Sequence, residues 1–198
     1  MVDRSLSTPD VMRLRTGACV GLTGQVLELG FGSGLNVGSY PSAVTRVDAV
    51  EPSDLGWRMS EARRRDAGVP IARVGLDGQR LAAADSSYDA VLSTFTLCTI
   101  PDAIAALGEV RRVLRPGGAF HFLEHGRSPE PGVARWQRRL DPLERLIAGG
   151  CHLSRDIPLI VWGSGLEIAA VSAAYLPGPG VVRPWTYVFS GRAVPPTA

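Results

Sequence analysis

The apolar positions of the chain alternate between two rhythms. Short runs rich in Val, Ile, Leu, Ala and Phe, at 26–29, 44–50, 71–74, 90–95, 119–124, 166–171 and 185–189, have the length and composition of buried strands. Between several of them the apolar residues return at helical spacing. Leu55, Met59 and Ala62 do so beside Trp57, Ile104, Leu107, Val110 and Leu114 do so after Pro101, and Val133, Trp136, Leu140, Leu143 and Ile147 do so later. A weaker helical pattern runs over 10–20 through Val11, Leu14 and Ala18. Strands alternating with helices predict an α/β architecture with a mostly parallel sheet. The turn-rich Leu176-Pro177-Gly178-Pro179-Gly180 separates the last two runs, which predicts a closing strand pair with the final strand antiparallel to the rest.

Punctuation residues set the expected boundaries. Thr23-Gly24 turns into the first strand, and 35–40 leaves room for only a short helix before Pro41. Ser53 is an expected N-cap for a helix that runs to Gly68 as its C′ residue, with Arg63, Arg64 and Arg65 suited to its C-terminal dipole. Pro101 is expected to open the next helix and Arg115-Pro116-Gly117-Gly118 to end it. Residues 128–132 read as a turn, and Pro142 is expected to kink or break the helix over 133–148. No internal repeat is visible, and 193–198 reads as a loose tail.

Composition changes this picture little. The chain has 198 residues, 45% hydrophobic and 20% charged, and fits one domain over 1–198 with a real core. The formal net charge of +2 favours neither nucleic acid nor membrane, and all basic residues are arginine. Basic residues are not interleaved with aromatics in the way that marks a nucleic-acid surface. Cys19, Cys98 and Cys151 form no C-x-x-C pair, which fits reduced thiols in a cytoplasmic compartment and leaves no zinc pattern; no metal-ligand cluster is visible. Residues 1–25 carry Asp3, Arg4, Asp10, Arg13 and Arg15 without a long apolar run, so neither a signal peptide nor a transmembrane helix is expected, while a peripheral membrane contact stays open.

The candidate chemistry starts at VLELGFGSGLN. The first strand runs into Gly30, Gly32 and Gly34, which let backbone come close to a ligand because glycine has no Cβ and accepts positive φ. The dinucleotide fingerprint G-x-G-x-x-G would need glycine where Leu35 stands. Glu28 precedes the first glycine, and the second strand ends in Glu51, about 20 residues on, where an acid can accept both hydroxyls of a ribose. VLELGFGSG followed by VDAVEPS resembles motif I and the acidic motif of class I S-adenosylmethionine (SAM)-dependent methyltransferases. That resemblance implies a Rossmann-like three-layer sandwich with a seven-stranded sheet, and SAM as cofactor with S-adenosylhomocysteine as product. It further implies a cofactor site of Glu28, Gly30, Phe31, Gly32, Gly34, Glu51 and Pro52, with the Gly30 carbonyl on the methionine ammonium and Glu28 acting indirectly. Asp77 and Gly78 after the third strand are implied at the adenine, although Asp and Gly are also ordinary turn residues. Ser93 and Thr94, at the carboxyl end of the fourth strand, are implied beside the sulfonium and the acceptor.

The second half narrows the resemblance. FTLCTIPD, FLEHG, WQRRLDP, GGCHLSRD and RPWTYVFSGRA are similar to the methyltransferase-like family that includes membrane-associated alkyl-thiol methyltransferases. No counterpart to the hydrophobic N-terminal segment of those proteins is expected in residues 1–25. The likeness implies that 1–24 covers the cofactor, that the helical insertion 126–158 borders the acceptor, and that the acceptor is a small molecule, a thiol foremost. A phenolic, quinone-like or lipid-amine acceptor, methylated on O, C or N, is the alternative, as is SAM binding without catalysis. A thiol titrates near 8.5, so a base helps. His125, at the end of the fifth strand, is the first candidate and His152 the second. His121 lies inside the strand and reads as structural. Arg127, Arg135, Arg138, Arg139, Arg145 and Arg155 give the insertion its basic excess, which reads mainly as a solvated helix face.

Overall fold

The structure is a computed structural model and describes residues 5–147 and 149–196. The first and last residues of the expected cover and tail lie outside this range, as does Ala148 at the end of the expected third helix. Among the described residues seven strands form one sheet: β1 (Gly24–Leu29), β2 (Val44–Val50), β3 (Ile71–Gly75), β4 (Tyr88–Thr94), β5 (Leu114–His125), β6 (Glu167–Tyr175) and β7 (Tyr187–Val194). Their order is β3-β2-β1-β4-β5-β7-β6, and β7 runs antiparallel to both its neighbours while the pairs from β3 to β5 are parallel. The Rossmann-like sheet with an antiparallel last strand is therefore the one expected. The chain order reverses between β1 and β4, which opens a crevice at the carboxyl ends of the central strands.

The helices are α1 (Pro9–Cys19), α2 (Asp54–Met59), α3 (Glu61–Arg65), α4 (Ala103–Val113), α5 (Pro131–Ile147), α6 (Ile157–Gly163) and α7 (Arg183–Thr186), with single 3-10 turns at Val37–Ser39 and Gly180–Val182. Alternation along each strand sends side chains to two cores. Leu27, Leu29, Val91, Phe120 and Phe122 pack with Leu107 and Val110 of α4 and with Ile157 and Val161 of α6. Val26, Val47, Ala90, Leu92 and Leu123 face the other way and pack with Ala18 and Cys19 of α1. His121 lies on that second face, where its Nδ1 is 3.1 Å from the Ala18 carbonyl, and burial lowers its pKa. Its structural reading stands.

Several boundaries differ from the expectation. The helix from Ser53 is split at Ser60, whose Oγ donates to the Trp57 carbonyl at 2.7 Å, and it ends at Arg65 rather than at Gly68. Ser53 does cap it, accepting from Gly56 N at 3.0 Å. Residues after the glycine loop form only one 3-10 turn, because Asn36 is drawn inward by its side chain and Gly34 and Gly38 favour helix weakly. The cap of α4 is Asp102, one residue past Pro101. Arg115 to Gly118 do not end a helix but bulge from β5, between the pairs Tyr88↔Leu114 and Ala90↔Ala119. Helix α5 runs through Pro142 unbroken. The last two strands extend beyond the expected 166–171 and 185–189, since main-chain pairing continues through the polar residues at the sheet edge.

Two fully buried carboxylates stand at strand ends. Glu124 of β5 accepts from Ser93 Oγ at 2.6 Å, Thr96 N at 2.9 Å and Leu97 N at 3.1 Å. Glu28 of β1 accepts from Asn36 Nδ2 at 2.9 Å and from the Tyr40 hydroxyl. Burial pushes each carboxyl up to about 7, against hydrogen bonds that pull it down. Between about pH 4.5 and 7 the folded chain thus holds protons that the unfolded chain has released, so stability falls as pH rises through that window, by on the order of 3 kcal/mol per group. Urea midpoints should drop from pH 5 to pH 7.5. Glu124→Gln, which keeps an acceptor oxygen without the charge, should show about half that drop. An equal drop in the variant would place the titration elsewhere.

Candidate active site

A cleft of about 760 Å³ opens over the carboxyl ends of β3, β2, β1 and β4. Its floor is the glycine loop. Gly30, Gly32 and Gly34 have φ of 67°, 56° and 77°, a region that costs other residues about 1–2 kcal/mol. At Gly30 a Cβ would also lie 2.0 Å from Thr96 Oγ1, so the first glycine is required by the loop that follows β4. Gly32 N–H donates to Glu51 Oε2 at 2.5 Å and Ser53 N–H to Oε1 at 2.7 Å. Each carboxylate oxygen has one inward partner and keeps acceptor capacity toward the cleft. Helix α2 closes on the loop through Gly56, where a Cβ would sit 3.4 Å from the Gly32 backbone.

Of the residues singled out in the sequence, Gly30, Phe31, Gly32, Glu51, Pro52, Asp77, Gly78 and Thr94 line this cleft. Glu28, Gly34 and Ser93 do not. Glu28 and Ser93 are buried behind the loops they hold, and Gly34 packs against Phe31 and Ser60. Asp77 is exposed, and its carboxyl is held below its ordinary value by the Gln79 backbone N–H and side-chain amide at 2.8 and 3.2 Å. It thus makes its own turn while facing the cleft. Gly78 lies under Ile100, and Leu55, Met59 and Leu76 leave apolar surface at the mouth.

The two candidate histidines stand one layer back. His125 is half-buried, edge-on to Phe95 at 5.4 Å, and contacts the Cys151 thiol. His152 places its Nδ1 3.1 Å from the Cys98 carbonyl, and its own N–H donates to that oxygen at 2.9 Å. Phe95, at φ 54°, is a strained non-glycine residue that presents its ring to the cleft.

Sequence reasoning missed the opposite wall. Arg15 of α1 is 4% exposed and lines the cleft, donating to Asn36 Oδ1 at 2.9 Å and Thr94 Oγ1 at 2.7 Å. Asn36 in turn donates to Thr94 Oγ1 and to Glu28. The one available signal was an arginine on the inward stripe of a weakly amphipathic helix. The cleft is therefore polarised: Glu51 and Asp77 lie toward β2 and β3, and a guanidinium lies at the end of β4. Among the described residues no group of three His, Cys, Asp or Glu could hold a metal ion.

The comparisons agree with this geometry. The family described as "Methyltransferase domain" matches residues 27–122. Thiol S-methyltransferase TMT1B of Rattus norvegicus is 39% identical over 137 residues, 66% of this chain and 55% of the relative. The ubiquinone/menaquinone biosynthesis C-methyltransferase UbiE of Desulfotalea psychrophila is 39% identical over 100 residues, 48% of this chain and 39% of the relative. The chain thus spans little more than half the length of the curated thiol relative. A SAM-dependent methyltransferase from Methanosarcina mazei superposes with a TM-score of 0.67 at 19% identity, over 90% of this chain and 95% of that one, a likeness of fold.

Gly30→Ala should lower folding stability by about 2 kcal/mol or more, since it adds a methyl against Thr96 at positive φ. Gly38→Ala, where no atom lies within 4 Å, should change it by less than about 0.5 kcal/mol. Equal effects in urea titrations would show that the loop does not need the close approach.

Proposed function

Because the chain belongs to the class I SAM-dependent methyltransferases, we propose that it holds SAM in this cleft and transfers the methyl group to a small-molecule thiol. The carrying observation is the polarity of the cleft. SAM has a ribose diol and an adenine amino group at one end and a carboxylate at the other. Glu51 and Asp77 suit the donors of the first end, and Arg15 at the end of β4 suits the carboxylate of the second. In this orientation the sulfonium lies over the glycine loop near Thr94 and Phe95. The Gly30 carbonyl serves the ammonium, while Glu28 acts only through Asn36 and Tyr40.

The thiol reading is supported by the likeness to the thiol S-methyltransferase of the rat and by an apolar cleft mouth. The acceptor sulfur attacks the methyl carbon as the carbon–sulfonium bond breaks, so alignment in a dry cleft supplies much of the rate. We assign His125 as the group that takes the acceptor's proton, by way of a path past Phe95, with His152 as the second candidate. Residues 9–19 then act as the cover, and 126–158 as the acceptor wall of a single domain. Three free thiols suit a reducing, cytoplasmic setting.

Calorimetry tests the orientation first. Arg15→Met should weaken S-adenosylhomocysteine binding by at least about tenfold. It should leave 5′-methylthioadenosine, which lacks the amino-acid end, nearly unaffected. Equal losses for both would mean that Arg15 only supports the fold. In a panel of alkyl thiols, phenols and quinols, wild type should methylate the thiols, and His125→Ala should lose turnover while retaining cofactor affinity. Methylation of phenols or quinols alone would replace the thiol assignment.

Among the described residues no helix is long and apolar enough to cross a membrane. We extend the proposal to a peripheral contact through α5. Trp136, Leu143, Leu146 and Ile147 are exposed along one flank of it, beside Arg135 and Arg139. Vesicles containing phosphatidylserine should carry the protein on flotation, and Trp136→Ala with Leu146→Ala should reduce the bound fraction. Equal recovery with neutral vesicles would exclude the charge component.

A further inference from the structure

Outside the cleft, reactive side chains gather at one more place. Cys98 on the loop after β4 and Cys151 between α5 and α6 form a small apolar cluster with Leu153, walled by Leu140 and Trp185. Both thiols are free and buried. The Cys98 thiol meets that of Cys151, and the His125 imidazole meets Cys151 from the end of β5. The main chains around them are already joined. His152 N–H donates to the Cys98 carbonyl at 2.9 Å, so the two cysteine-bearing segments are held side by side. With the thiols in contact as well, the pair is placed for a disulfide, which spans Cα separations of about 4.4–6.8 Å. Arg155 fastens the same two segments by donating to the carbonyls of Leu97, Ile100 at 2.7 Å and Pro101 at 3.1 Å.

The two thiols are chemically unequal. Cys151 is lowered by the hydrogen bond from Cys98 and then by His125, against its burial. Cys98 is raised by the same bond and by its burial. Glu124 and Glu144 oppose ionisation of the pair and Arg155 favours it. Cys151 is therefore the sulfur that ionises first and Cys98 the one that keeps its proton, the division of labour that lets one sulfur attack an oxidant and the other resolve the product.

We propose that Cys98 and Cys151 are an oxidisable dithiol, which hydroperoxides convert to a disulfide that clamps residues 149–156 onto the wall of the cleft. The Cys151 thiolate attacks the terminal peroxide oxygen, the O–O bond breaks, and the alkoxide or hydroxide leaves with a proton from solvent. This gives a sulfenic acid at Cys151. The Cys98 sulfur then attacks Cys151 Sγ, the S–O bond breaks, and the hydroxyl leaves as water with the Cys98 proton. In sum, two thiols and one hydroperoxide give one disulfide, one alcohol or water, and one water. Thr99, which follows Cys98, and Gly149, two residues before Cys151, both line the cleft. The bridge therefore ties its two walls together and restricts the opening that admits an acceptor. Only this last consequence rests on the proposed methyltransferase activity.

The test uses the full reduced chain and hydrogen peroxide at low molar excess. Peptide mass mapping without reductant should find Cys98 joined to Cys151, with Cys19 still alkylatable. Initial turnover on a monothiol acceptor, read while mapping still finds the bridge intact, should fall by at least roughly fivefold and return with tris(2-carboxyethyl)phosphine, a reductant that is not a thiol. Cys98→Ser should instead stop at a sulfenic acid on Cys151 that dimedone captures. Two free thiols after peroxide, or overoxidation without a bridge, would overturn the dithiol. Full turnover in the mapped disulfide form would overturn the clamp. A reduced protein with no methyl transfer to any acceptor would count against the proposed function and leave the mapping result to decide the dithiol.

Discussion

A carboxylate with no access to water must be met by donors, and at the end of β5 this requirement shapes the active face. Glu124 takes its donors from Ser93, Thr96 and Leu97, so the strand end and the loop after β4 are drawn to one point. With the loop held there, Thr96 stands over Gly30, Phe95 turns its ring to the cleft, and Cys98 is delivered to the insertion. Removing the group would leave three donors without partners, and the cost would fall on cleft geometry as much as on stability.

Glu28 plays the matching part on the other side of β4. It orients Asn36 and Tyr40, and Asn36 hands the contact on to Thr94 and Arg15. Helix α1 is thus joined to the sheet by a chain of polar contacts as well as by Ala18 and Cys19. The two buried acids bracket β4, whose end opens into the cleft between them.

Local features of the sequence were legible. The glycine loop, Glu51 at the end of β2 and Ser53 as a cap all follow from residues close together in the chain, and the strand–helix alternation carried the α/β class with its mostly parallel sheet. Boundaries failed where side-chain bonding or a distant partner decided them: Ser60 splits a helix as its hydroxyl turns back on the Trp57 carbonyl, and the Arg115–Gly118 stretch bulges because Tyr88 and Ala90 dictate the pairing. Arg15 and Asn36 were not legible as site residues, since their partners lie on β4 and β1. Cys98 and Cys151 looked unrelated for the same reason, as only the fold brings the insertion back to the loop.

The backbone at Phe95 has a cost that the rest of the fold underwrites. A left-handed phenylalanine holds about 1–3 kcal/mol of strain, and glycine there would relieve it. The relaxed chain would lose the ring that separates His125 from the cleft and receives the Arg15 guanidinium at 5.1 Å. Glycine would therefore exchange relief of backbone strain for loss of the ring's packing on the second core. Position 95 is a place where a variant with an easier backbone would give up a side chain at the cleft wall.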